Sequence, residues 1–108
     1  MLSTLIDTAT NKVVKNIKVG KRPRRFAMTP DGSQLWVTNE LAASVTVIST
    51  KDHTILGTLE FEVKGARAAD ITPVGIVMNA AGTKAFVSLG KANHVAFVDV
   101  AARKVTDL

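Results

Sequence analysis

The densest chemistry in the chain lies in two charged stretches. The first, Lys21-Arg22-Pro23-Arg24-Arg25, groups three guanidiniums and an ammonium around one proline. The second, running from residue 64 to residue 70, carries Lys64, Arg67 and Asp70. A guanidinium presents a planar fork of N–H donors that matches a carboxylate or phosphate through two bonds at once. Arg22, Arg24, Arg25 and Arg67 are therefore the candidate residues for an anionic ligand or an acidic protein partner. In the competing reading, some of these side chains pair with carboxylates between neighbouring structural units and serve only the fold.

Other reactive side chains lack the company that chemistry needs. His53 and His94 are the two histidines, and neither has a carboxylate or second ligand close by in sequence, so no metal site is expected. Ser3, Ser33, Ser44, Ser49 and Ser88 stand outside any Gly-x-Ser-x-Gly context, which leaves no activated nucleophile. No glycine-rich loop follows a strand and opens a helix, so nucleotide binding through such a loop is not supported. Cysteine is absent, removing disulfides, thiolates and cysteine metal sites together. The expectation is no catalytic residue, no cofactor and no metal. Trp36 falls in an apolar run and reads as core whose ring N–H needs a partner. With 5% aromatic residues, stacking platforms for single-stranded nucleic acid are poorly furnished.

Charge is uneven. Residues 1–25 hold seven cations against the single acid Asp7, so this stretch carries +6 and the remainder −1 of a total of +5. Such a stripe attracts anions, and lysines spaced along an outer strand also discourage edge pairing. The 108 residues are 46% apolar, which fits one small domain with a modest core. No apolar run approaches the roughly 20 residues needed to cross a bilayer. The start, Met1-Leu2-Ser3-Thr4-Leu5-Ile6-Asp7, has neither a basic n-region nor a long apolar h-region and is not read as a signal peptide.

The elements that must position the charged stretches come from an internal repeat. Pro23 to Asn39 returns fifty positions later as Pro73 to Leu89, with Pro, Met, Gly and Val in register. Ile6-Asp7-Thr8 likewise returns as Ile48-Ser49-Thr50, 42 residues on. The repeat is thus about 42 residues, with eight inserted within residues 62–71 of the second unit. Each unit reads as four strands, predicted in the middle unit at 26–29, 35–38, 45–48 and 54–62. Thr29-Pro30-Asp31-Gly32 forms the first hairpin turn. Leu35-Trp36-Val37, Ala85-Phe86-Val87 and Val95-Ala96-Phe97-Val98 are apolar on consecutive residues, so these strands require cover on both faces. Sheets stacked face to face at this period make an all-β, partial β-propeller of four-stranded antiparallel blades. About two and a half blades are expected: the outer two strands of one blade in 1–19, a complete blade in 20–63, and a second blade with its inserted connector in 64–108. Propellers close with typically about 4–8 blades, so additional blades or copies of the chain are expected partners.

Ile6-Asp7-Thr8-Ala9-Thr10-Asn11-Lys12-Val13-Val14, followed by Thr29-Pro30-Asp31-Gly32 and Trp36-Val37-Thr38-Asn39, resembles the YVTN family of propellers, with Trp in place of the family Tyr. The stretches Arg22-Pro23-Arg24, Glu40 with its small-residue loop, Pro73-Val74-Gly75 and Leu89-Gly90-Lys91-Ala92-Asn93-His94-Val95 are similar to the subgroup of propellers associated with PQQ-dependent catabolism. That resemblance implies a periplasmic, seven-bladed protein found beside quinoprotein alcohol oxidation, and the chain is expected to be a non-catalytic scaffold segment that binds a protein partner or anionic ligand. Those relatives are longer and carry export signals, so a fragment or truncated copy is expected. The alternative is part of a propeller enzyme, quinoprotein or lactonase-like, whose active site lies in other blades.

Overall fold

The computed structural model describes residues 2–108. Its ten strands form three antiparallel sheets. Strands β1 (Leu2–Asp7) and β2 (Lys12–Lys18) pair alone. Strands β3 (Pro23–Met28), β4 (Gln34–Asn39), β5 (Ser44–Ser49) and β6 (Ile55–Glu60) form the middle sheet in chain order. Strands β7 (Pro73–Met78), β8 (Lys84–Leu89), β9 (His94–Asp99) and β10 (Lys104–Asp107) form the last, with a short 3-10 turn at Ala68–Asp70 in the connector before it. No helix among the described residues is long and apolar enough to cross a membrane.

The repeat is carried into the hydrogen-bond register. Phe26 faces Val37 and Met28 faces Leu35, as Ile76 faces Val87 and Met78 faces Ala85 fifty residues on. Both first strands begin earlier than apolar patterning indicates, at Pro23 and Pro73, because each contains a bulge. A hydroxyl fills each bulge: Arg25 N–H donates to Thr38 Oγ1 at 3.0 Å, and Gly75 N–H to Ser88 Oγ at 2.8 Å. The fourth strand of the middle sheet ends at Glu60 rather than Glu62. One ladder bond continues past it, from Phe61 N–H to the Ala43 carbonyl at 2.8 Å.

Two apolar layers bind the sheets together. Trp36, Val45, Val47, Leu59 and Phe61 of the middle unit pack against Ala85, Val87, Leu89, Ala96 and Val98 of the last. On the opposite face, Val37 and Ile48 meet Ile17 and Val19, with Leu5 and Leu35 packed against them. Trp36 is 0% exposed, and its Nε1–H donates to Gln34 Oε1 at 3.0 Å. Thr38 Oγ1 also donates to the Val74 carbonyl at 3.0 Å, tying the middle sheet to the next. At the outer rim Arg103 Nη1 donates to the Leu56 carbonyl at 3.1 Å, passing over Gly57, where a Cβ would lie 3.2 Å from that nitrogen.

Cover on both faces holds for the inner part of the middle sheet, where every residue of β5 is buried. It does not hold for the last sheet. Val77, Val95 and Phe97 are exposed although their strands are apolar on both sides. Strand composition prepares a face for burial, and only a neighbouring sheet can bury it.

The Thr29–Gly32 turn has an acid-sensitive anchor. Asp31 Oδ1 accepts from the Thr29 hydroxyl at 2.6 Å, the Ser33 hydroxyl at 2.8 Å and Ser33 N–H at 3.0 Å. These bonds, the Thr29 hydroxyl foremost, pull the carboxyl from an ordinary 3.8 down to about 2. A depressed carboxyl contributes stability that is present above 3.8 and lost as pH falls through about 2. Asp31→Asn is therefore expected to flatten the acid limb of the stability curve between those values, read by denaturant midpoints across pH. An unchanged limb would show the turn acid to be uncoupled from folding.

Candidate functional site

Proline positions the first charged stretch. Arg22 takes a left-handed backbone, φ 57°, just before Pro23, and Thr72 does the same, φ 49°, before Pro73. Each bend turns a carbonyl toward the loop between the second and third strands: Arg22 O accepts from Glu40 N–H, and Thr72 O from Gly90 N–H, both at 2.9 Å. A β-branched residue at positive φ is strained, and the Thr72 hydroxyl offsets this by accepting Lys91 N–H at 2.7 Å. The connectors 19–22 and 61–72 therefore meet the 40–43 and 90–93 loops at one end of the sheets.

At that end Glu40 is the hub. Arg24 Nη1 donates to Glu40 Oε2 at 2.7 Å, and Arg22 Nε lies 3.8 Å from Oε1. The Glu40 side chain is 12% exposed, while Arg22 and Arg24 remain largely open to solvent. Two cations on one carboxylate leave a net positive charge. In the connector, Arg67 Nε pairs with Asp70 Oδ2 at 3.0 Å and Lys91 Nζ with Asp70 Oδ1 at 3.5 Å. These two cations hold the Asp70 carboxyl below its usual range, the Arg67 hydrogen bond contributing most. Beside the inserted connector lies a cleft of about 680 Å³, lined by Ala43, Phe61 and Ile71 and by Glu60, Glu62 and Lys64.

The structure thus brings Arg22 and Arg24 together, and it sets Arg67 in a separate ion-pair cluster. Arg25 is tied through its backbone to Thr38, and its guanidinium joins no ion pair among the described residues. The carboxylate partners lie within each unit rather than between units. Glu40 and Lys91 are the members that charge clustering alone misses. The pairing of Pro23 with Asn39, reached through the bulge, brings Glu40 beside Arg22 and Arg24.

His53 occupies the hairpin between β5 and β6 in a left-handed conformation, φ 57°. His94 opens β9, with Nδ1 2.6 Å from the Ala92 carbonyl, so that nitrogen carries the proton. Among the described residues no three His, Cys, Asp or Glu side chains gather into a metal-holding group.

Sheets stacked by their faces, with a first strand at one edge and connectors from each outer strand to the next inner one, define a segment of a β-propeller. Solved structures bear this out. The chain is similar to the hydrazine synthase of Kuenenia stuttgartiensis over 97% of its own length and 28% of that chain, with 23% identity and a TM-score of 0.83. It is similar to a Lactobacillus plantarum protein over 97% of its length and 33% of that chain, with 19% identity and a TM-score of 0.74. A candidate 6-phosphogluconolactonase from Bacteroides uniformis matches 91% of the chain and 30% of its own, with 17% identity and a TM-score of 0.68. The chain therefore spans about three tenths of the structures it matches. At these identities the likeness establishes the fold alone. No protein-family model matches the sequence, and no curated protein does.

Proposed function

We propose that the chain is a non-catalytic binding segment of a YVTN-type propeller, which takes an acidic protein loop or another anionic ligand at its connector end. The convergence of Arg22 and Arg24 on Glu40 carries this reading. It presents two solvent-open guanidiniums in a fixed arrangement whose charge one carboxylate only partly offsets, with Arg25 on the same strand. Trp36-Val37-Thr38-Asn39 and the Pro30-Asp31-Gly32 turn support the YVTN assignment. The Arg22-Pro23-Arg24 and Leu89–Val95 stretches support the subgroup associated with PQQ-dependent catabolism, and with it a periplasmic setting. A second reading, a segment of a propeller enzyme, draws on the fold likeness to the candidate lactonase.

Calorimetric titration with a hexaglutamate peptide tests the binding reading. Saturable binding is expected that weakens as salt rises. Arg24→Ala and Arg25→Ala should each reduce affinity about two- to fivefold, the range of exposed ion pairs. Glu40→Gln removes the carboxylate that offsets the cluster's charge and should raise it. Affinity indifferent to all three substitutions would end the anion-binding reading.

A further inference from the structure

The outer strand of each unit carries a bulge at the same place. On β2 the pairing steps from Lys15 to Val13, opposite Leu5 and Ile6, and leaves Val14 without a cross-strand partner. On β6 it steps from Gly57 to Ile55 and leaves out Leu56. On β10 it steps from Val105 to Asp107 and leaves out Thr106. Leu56 lies 42 residues after Val14, and Thr106 fifty after Leu56, which are the spacings of the repeat itself. A bulge releases its extra residue from the ladder and re-aims the side chain. In the last unit that residue is polar and bonds locally, the Thr106 hydroxyl donating to the Phe97 carbonyl at 3.0 Å. In the other two units it is aliphatic and exposed.

Exposure here does not depend on a missing neighbour. The middle sheet has a sheet packed on each face, yet Ile55 is 47% exposed and Leu56 41%. Their counterparts Val13 and Val14 are exposed as well. Stacking sheets by their faces covers faces and leaves the outer rim bare. Cations surround the two apolar pairs. Lys12 and Lys15, both exposed, flank Val13 and Val14, and Arg103 sets its guanidinium beside Leu56 by donating to that residue's carbonyl at 3.1 Å. The three outer strands with the turns that lead into them, residues 8–18, 50–60 and 100–107, hold six cations against three acids. Lysines protect an open strand edge from pairing, but they give no reason for an aliphatic residue at an exposed bulge in two units.

We propose that this rim docks on the surface of an anionic lipid bilayer. Val14 and Leu56, with Val13 and Ile55 beside them, enter the boundary between headgroups and acyl chains, while Lys12, Lys15 and Arg103 lie among the lipid phosphates. Buried aliphatic area and attraction to anionic lipid reinforce one another in such binding. The two apolar pairs stand on separate sheets, so the surface that meets both is broad rather than a pocket. The excess of cations selects a negative one. None of these residues belongs to the arginine cluster, so the rim docks whether the connector end is free or occupied.

Sedimentation of the full chain with lipid vesicles is the test, phosphatidylcholine alone being compared with an equal mixture of phosphatidylcholine and phosphatidylglycerol. Binding is expected to the mixed vesicles only, and it should weaken as salt rises. Val14→Asn combined with Leu56→Asn should lower the partition coefficient roughly tenfold or more by removing aliphatic contacts. Lys12→Gln combined with Lys15→Gln should lower it to a similar degree. All four positions are exposed, so circular dichroism should show the fold intact in both variants. Absence of binding to the mixed vesicles would overturn the proposal, as would equal binding to both kinds. So would a loss confined to one of the two variants; confined to the lysines, it would mark a surface for polyanions at large, nucleic acid included. Dimerisation seen by light scattering and abolished by the Asn substitutions, without vesicle binding, would assign the rim to a second copy of the chain.

Discussion

Trp36→Ala is expected to destabilise the protein by about 3–5 kcal/mol, the largest effect of any single truncation in the chain. Trp36 is fully buried and sits where the middle sheet meets the last, among Val45, Val47, Ala85, Val87 and Leu89. Removing the indole loses its transfer free energy and leaves a cavity that two rigid sheets cannot collapse around. It also strips Gln34 Oε1 of its donor. Domains of this size are stable by about 5–15 kcal/mol, and a shift of 1 kcal/mol moves the melting temperature by roughly 4–8 °C. Urea unfolding followed by circular dichroism reads the change without relying on the lost fluorophore. Trp36→Phe, which keeps a ring, should cost clearly less. A loss below about 1 kcal/mol for Trp36→Ala would mean that the apolar layer between the sheets does not hold them together.

A change of one methyl group should produce the second-largest effect. In Gly20→Ala, the new Cβ would lie 2.6 Å from Asn39 Cγ and 2.9 Å from Asn39 Cβ. Asn39 cannot swing aside: it is fully buried, and its Nδ2 donates to Thr46 Oγ1 at 2.9 Å and Ser44 Oγ at 3.1 Å. Its Oδ1 is buried without a partner among the described residues, so displacement threatens the bonds that keep this polar cluster tolerable. The expected loss is about 1–3 kcal/mol. Because Gly20 precedes Lys21 and Arg22, the same variant should also loosen the connector that aims Arg22 and Arg24 at Glu40. Thermal melting and the hexaglutamate titration together read both consequences. Asn39→Ser shortens the obstructing side chain, and in combination with Gly20→Ala it should recover part of the loss. Strictly additive losses would show that the two residues do not collide.

Much of the architecture was legible beforehand because it depends on local chemistry. Pro30, Asp31 and Gly32 specify a turn wherever they occur, since Pro presets φ and Gly accepts the φ of 76° found at residue 32. The equivalent turn at Asn79–Gly82 lacks Pro and Asp, yet it closes through the same Gly82 N–H to Asn79 carbonyl bond, at 3.0 Å. The doubly apolar runs fall on β4, β8 and β9. The arginine cluster was visible as a cluster, but its partners were not. Glu40 reaches Arg24 only because a bulge between Pro23 and Phe26 shifts the strand by one residue, and a bulge leaves little trace in composition.

The order of the strands, the spacing of the units and the joints between them follow from the amino-acid sequence, because turn residues and two-residue alternation act over a few neighbours. Which faces are dry was decided by tertiary structure. Val47 and Phe97 occupy equivalent positions in equivalent strands, yet one is fully buried and the other is 42% exposed. Burial belongs to a pair of surfaces, and among the described residues the middle sheet has a neighbour on that side where the last sheet has none.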